Sequence, residues 1–153
     1  MTDEGTVRIA IARAPGNRDL PAPAAATPGS SGLDLRACIA AEVTLQPGQR
    51  ALLPTGFSIA IPAGFEGQVR PRSGLALRQG LGLLNSPGTI DSDYRGEIAV
   101  IVINLGQEPI VIRRGDRIAQ LVIAAVPQVE LTIVAQLPDT GRGGGGFGHT
   151  GAR

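Results

Sequence analysis

The chain contains no lysine and no tryptophan, and only one cysteine, one histidine, one tyrosine and three phenylalanines. Each shortage closes a route. The single thiol, Cys38, cannot form an intramolecular disulfide or a cysteine-built zinc site. With His149 the only imidazole, a multi-histidine metal centre and a Ser-His-Asp triad in the folded core are both set aside. Aromatic residues at 3% force an aliphatic core, so Tyr94 and the three Phe are worth individual inspection. All 14 basic residues are arginine, and they nearly balance 13 acids, leaving a net charge of +1. No bulk electrostatic attraction to nucleic acid or to an anionic membrane follows from that. Any phosphate handling must use guanidinium groups, helix ends or backbone amides. Long apolar runs are missing too: residues 98–105 and 118–126 are too short to span a bilayer. The first seven residues carry two acids and no apolar stretch, so no signal peptide is expected. The expectation is a soluble cytoplasmic protein.

What is plentiful is punctuation. The 153 residues include 22 glycines and 12 prolines spread along the whole length. That favours many short strands over helices. Strands are expected at Val7–Ile11, Val43–Leu45, Phe57–Ile61, Phe65–Arg70, Ile98–Leu105, Ile110–Ile112 and Ile118–Val126. The last three are so apolar that both faces should be covered, by a second sheet or by another subunit. One short helix is expected over Gly74–Gln79, with Ser73 as N-cap and Gly80 as stop. The class is all-β, a jelly roll or β-sandwich with one short helix. One domain over residues 1–153 is expected, with a core of about 5–137. Residues 15–30, rich in Pro, Ala and Gly, should be an irregular surface connection. The Gly-rich residues 138–153 should form a flexible arm that orders only on a ligand, or not at all.

Five segments carry possible chemistry. Ser31-Gly32-Leu33-Asp34-Leu35-Arg36-Ala37 places one carboxylate in a half-apolar strand. Such an Asp is usually solvated or paired with Arg, but it can also organise the water shell of Mg²⁺. Pro71-Arg72-Ser73-Gly74-Leu75 is a strand-to-helix turn that doubles as an anion site. Residues Gly88 to Glu97 form a polar hairpin between two apolar runs. With Asn85, such a hairpin offers a nucleobase an amide, backbone N–H and C=O groups, and the Tyr94 ring for a sugar; Asp91 is its one plausible general base. Arg114-Gly115-Asp116-Arg117 is a tight turn feeding the strand that contains Gln120, whose amide needs partners inside an apolar run. Its Arg-Gly-Asp tripeptide, an adhesion signal in other settings, is set aside because no secretion signal accompanies it. The tail Arg142–Gly151 looks like a P-loop at first, but it lacks the Gly-Lys-Ser/Thr end and no helix pattern follows. One Arg and one Phe are too few for an RGG-type nucleic-acid segment. A lid over a triphosphate suits its accessible amides.

Together and in this order, the five segments resemble the motifs of the trimeric dUTPase family, over roughly Ser30 to Gly151. His149 departs from the family's usual Ser at a position the family uses for one phosphate contact. The resemblance implies a jelly-roll subunit in a homotrimer with shared active sites. It implies hydrolysis of dUTP to dUMP and pyrophosphate with Mg²⁺, which keeps uracil out of DNA and supplies dUMP for thymidylate synthesis. It also implies roles by residue. Asp91 would activate the attacking water. Asn85 and the backbone of Gly88, Thr89 and Ile90 would read uracil, and Tyr94 would pack under the deoxyribose. Arg72, Ser73, Gly74 and Gln120 would hold phosphates. Asp34 would bind waters of a Mg²⁺ ligated mainly by the substrate. Arg142, Phe147, Gly148 and Thr150 would close the arm over the nucleotide, Arg142 on the γ-phosphate and Phe147 over the base. Two alternatives share the scaffold: a dCTP deaminase-like enzyme and a non-catalytic dUTP sensor.

Overall fold

A computed structural model describes residues 6–146. In chain order the elements are β1 (Ala10–Arg13), β2 (Leu33–Arg36), β3 (Val43–Leu45), β4 (Arg50–Ala60), β5 (Phe65–Arg70), α1 (Ser73–Gln79), β6 (Leu81–Leu83), β7 (Gly88–Ile90), β8 (Glu97–Asn104), β9 (Ile110–Ile112) and β10 (Arg117–Ala125). The strands pair antiparallel into a sheet β1-β4-β8-β6, a sheet β2-β10-β5-β7 and a ribbon β3-β9. This is the all-β, jelly-roll-like architecture expected from the sequence.

Alternation decides what lies inside. Ile98, Val100 and Val102 point inward along β8, with Leu53 and Ile59 of β4 beside them. They share one cluster with Leu35, Val69, Ile118 and Leu121 of the second sheet and Leu45, Ile110 and Ile112 of the ribbon. Its buried members are all aliphatic, as the shortage of aromatics requires. Each large side chain buried this way contributes about 2 kcal/mol.

One polar residue is built into this core. Asn104, fully buried at the end of β8, donates to the carbonyls of Leu45 (2.9 Å) and Glu108 (2.8 Å) and accepts from Gly106 N–H (2.8 Å). It ties the ribbon to the β8–β9 turn. Asn104→Ala strips three bonds from buried partners and should cost about 3 kcal/mol, read as a lower urea midpoint with an unchanged slope.

Three expectations need correction. The first strand lies at Ala10–Arg13, not Val7–Ile11, because the period-2 pattern continues past Ile11 and β4 selects the register Ala10↔Ala60 to Arg13↔Phe57. The helix is capped by Arg72, not Ser73: the Arg72 carbonyl accepts from Leu75 and Ala76, and no side chain caps the turn. Gly80 does stop it, at φ 73°. Gly88–Ile90, expected as part of a turn, is a strand that pairs with β5 in the other sheet. Within the chain β8 is covered on one face: Ala99 is exposed, Ile101 and Ile103 are half-buried, and Leu52 opposite Ile101 is 65% exposed, which leaves the outer face open to the other cover expected from the sequence, a neighbouring subunit.

Candidate functional site

The second sheet gathers four of the five segments. Its order, β2-β10-β5-β7, sets the segment around Asp34 beside the one containing Gln120, then the one leading to Arg72, then the hairpin segment. Gln120 stands opposite Asp34 on one side and Arg70 on the other. Asp34 and Arg117, 83 residues apart in sequence, become neighbours only through this pairing.

At one end of the sheet lies a charged cluster. Asp34 Oδ1 accepts from Arg72 Nε at 3.0 Å, and Oδ2 from Arg117 at 3.1 Å. The carboxylate therefore holds two guanidiniums at the mouth of α1. Gln120 finds the partner that its apolar strand denies it: its Nε2 donates to the Pro71 carbonyl at 2.9 Å. The same side chain lies on Gly32, where a Cβ would come within 2.1 Å of Oε1. A larger residue there would have to push the Gln120 amide aside. Ser73 and Gly74 open the first turn of α1, where amide N–H groups have no intrahelical acceptor. A cavity of about 340 Å³ adjoins the cluster, lined by Arg72, Leu75, Arg78 and Arg117 among others.

The hairpin makes a second, separate cleft of about 310 Å³, lined by Leu52, Thr89, Ile90, Asp91, Tyr94 and Ala99. Its size is at the small end for ligand pockets. Tyr94 N–H donates to the Asp91 carbonyl at 3.1 Å, and its hydroxyl donates to the Glu97 carbonyl at 3.0 Å. The ring so held lies across Gly96, where a Cβ would meet the phenol oxygen at 2.3 Å. Asn85 lies against Gly88, its Nδ2 3.2 Å from where a Gly88 Cβ would be. Asp91 and Tyr94 both remain exposed.

The two clusters do not meet within one chain. The register Ile90↔Gly67 puts Asp91 level with Glu66, at the start of β5. Arg72 lies beyond its other end. Arg70 lies four steps along the strand from Glu66, about 13 Å, and Arg72 is further still. Arg142 joins neither group: it sits in a turn and donates to the Gly145 carbonyl at 2.7 Å. Phe147, Gly148, His149 and Thr150 lie outside the described residues.

A family profile for dUTPase matches residues 18–151. The chain belongs to the dUTPase family. It is 59% identical over 145 residues to a deoxyuridine 5'-triphosphate nucleotidohydrolase of Caulobacter vibrioides, covering 94% of each chain. It is 62% identical over 125 residues to one of Anaeromyxobacter sp., covering 82% of this chain and 84% of the relative. Among solved structures, a variant of the Staphylococcus bacteriophage 80alpha dUTPase with dUpNHpp superposes with a TM-score of 0.85 at 23% identity, over 96% of this chain and all of that one. A mutant dUTPase from phage phi11 of S. aureus, described with a structural Mg(II) ion, gives 0.75 at 21% identity, over 84% and 97%. The dUTPase-family chain is thus a hydrolase that converts dUTP to dUMP. These matches give no support to the deaminase or sensor alternatives.

Two residues of the candidate site carry no expected role from sequence. Arg117 was legible only as a turn residue; its ion pair with Asp34 arises from the β2–β10 pairing. Glu97 ended the polar hairpin but is the residue whose carbonyl holds Tyr94. The Arg-Gly-Asp tripeptide is spent on structure. Arg114 binds Asp19, whose carboxyl it holds below the usual carboxylate range chiefly through that hydrogen bond. Asp116 accepts from Arg113 N–H at 2.8 Å. Among the described residues no helix is long and apolar enough to cross a membrane.

Proposed function

We propose that this chain works as a homotrimer whose active sites are each assembled from different subunits. The carrying observation is the separation along β5. A water activated by Asp91 and phosphates held beside Arg72 must lie within a few ångströms of one another, whereas one chain holds those residues at opposite ends of a strand. A neighbour's Asp34–Arg72–Gln120 cluster facing this chain's hairpin removes the conflict. Two apolar surfaces support such packing. Leu52, Ile101 and Ile103 leave the outer face of β8 open, and Val129, Leu131 and Ile133 alternate along a segment outside any strand or helix at 75%, 90% and 100% exposure. Isolated chains rarely leave such surfaces in water.

The chemistry then follows from residue types. Uracil enters the hairpin cleft, read by Asn85 and the backbone of Gly88, Thr89 and Ile90. Tyr94 packs under the deoxyribose and leaves no room for a 2′-hydroxyl. The narrow hairpin leaves none for a 5-methyl group. Cytosine exchanges donor and acceptor at two ring positions and would leave buried groups unpaired. Arg72, the amides of Ser73 and Gly74, and Gln120 take the phosphates. The Gln120 bond to Pro71 and the Asp34 pair preset those groups before substrate arrives. Asp91 orients a water and takes its proton as the water oxygen bonds the α-phosphorus. The α-phosphorus–oxygen bond to the β-phosphate breaks, and pyrophosphate leaves with the electron pair. Arg142 contacts the γ-phosphate, and Phe147, Gly148 and Thr150 close the arm.

Mg²⁺ fits these residues only as a substrate-held ion. Among the described residues no group of three His, Cys, Asp or Glu side chains could hold a metal. Asp34, with each oxygen already accepting from one guanidinium, keeps lone pairs for a metal-bound water rather than an inner-sphere bond. When bound, the ion neutralises charge on the phosphate oxygens. A polyanionic substrate does not cross bilayers unaided, which places the enzyme with the cytoplasmic nucleotide pool. No nucleic-acid or membrane partner is invoked.

Pyrophosphate release from dUTP, dTTP, dCTP and UTP, with and without Mg²⁺, tests the pocket. Rapid release from dUTP alone, and only with the metal, is expected. Comparable release from UTP would remove the role given to Tyr94, and ammonia from dCTP would move the chain to deamination.

A further inference from the structure

Strands β4 and β8 pair from Arg50↔Ile103 to Pro54↔Ala99, lose register, and resume at Ser58↔Glu97. Residues 55–57 form a bulge, with Gly56 at φ 77°. A bulge leaves ladder groups without strand partners. Here the start of β8 supplies them. Ile98 carbonyl accepts from the buried Thr55 hydroxyl at 2.7 Å, and Glu97 Oε1 accepts from Gly56 N–H at 2.7 Å. From the other side, Ala14 N–H (2.9 Å) and Asn17 Nδ2 (3.1 Å) donate to the Gly56 carbonyl. The bulge is therefore fixed from both directions. Glu97 is attached to it by its carboxylate and, through its own carbonyl, receives the Tyr94 hydroxyl at 3.0 Å.

We propose that Glu97 is a positioning residue for sugar selectivity: by gripping the β4 bulge, its carboxylate fixes the carbonyl that holds the Tyr94 ring over Gly96. This rests on Tyr94 as the floor under the deoxyribose. Tyr94 is half-exposed, with its backbone N–H on the Asp91 carbonyl and its hydroxyl on Glu97. Without the second anchor the ring can swing about its side-chain torsions, and the space it denies to a 2′-hydroxyl opens. A charge-assisted bond to a backbone amide is among the stronger local restraints. Glutamine keeps the accepting oxygen at the same reach and loses only the charge, so it separates an anchoring role from an electrostatic one.

The chain supplies its own reporter. With one tyrosine and no tryptophan, emission excited beyond the phenylalanine absorption band comes from Tyr94 alone. In the ligand-free full-length enzyme, Glu97→Ala should raise acrylamide quenching of that emission about twofold and lower the dUTP:UTP ratio of kcat/KM about tenfold, the scale set by one lost restraint. Glu97→Gln should return both to within about twofold of the parent. Parent-like quenching and selectivity in Glu97→Ala would overturn the proposal, and so would a Gln variant as defective as the Ala variant. If Glu97→Ala does not assemble, Glu97→Asp withdraws the oxygen by one methylene, keeps the charge, and is held to the same two outcomes as Ala. Tyr94→Ala separates the two claims. An unchanged dUTP:UTP ratio there would remove the sugar-floor role itself, while quenching in the Glu97 variants would still report whether the anchor exists.

Discussion

Asp91→Asn should bind dUTP about as tightly as the parent and turn it over roughly a thousandfold more slowly. The amide matches the carboxylate in size, so the hairpin, in which the Asp91 backbone carbonyl holds Tyr94 N–H, keeps its shape. What disappears is the acceptor for the proton of the attacking water. Asp91 is exposed in the single chain and lines the cleft beside Tyr94. Asp93 is nearby in sequence but does not line that cleft. Equilibrium binding of a non-hydrolysable dUTP analogue, set against single-turnover pyrophosphate release, separates the two effects. Turnover within tenfold of the parent would deny Asp91 the role of base.

Removal of residues 142–153 should leave a folded trimer that hydrolyses dUTP roughly a hundred- to a thousandfold more slowly. The segment just before the cut contributes no strand or helix, and residues 126–144 are exposed throughout. Among the described residues, none of the core is lost with it. What goes is Arg142 and the glycine-rich amides that would exclude water from the triphosphate. The cut spares residues 126–137, whose apolar side chains are the ones expected to pack on a neighbour. Sedimentation should therefore give the parent mass. Dissociation to monomers would make the arm a structural element instead.

How far the sequence could be read depended on how local the deciding interaction was. β5 was legible residue for residue, because Phe65–Arg70 alternates and is bounded by Gly64 and Pro71. β4 was read short. Pro54 interrupts its pattern, and only the β8 partner shows that the strand runs through it, with the ladder broken just beyond Pro54. β7 was hidden because its partner is β5, some 20 residues away. Of the site, the residue types were legible and the grouping was not. Asp34, Arg72 and Gln120 converge through strand pairing, and nothing in their spacing announces it. Nor does spacing reveal that Asp91 and Arg72 face opposite ends of one strand, the observation on which the proposed shared site rests.

Mixing two inactive variants tests that shared site most directly. Asp91→Asn lacks the base and Arg72→Ala lacks a phosphate ligand, so each homotrimer should be nearly inert. Unfolded together and refolded at equal ratio, they should recover activity at about a quarter of the sites, since a site drawing the hairpin and the phosphate cluster from different chains receives two intact halves with that frequency. No recovery from a mixture shown to contain hybrid trimers would mean that both halves come from one chain, and the composite site would be wrong.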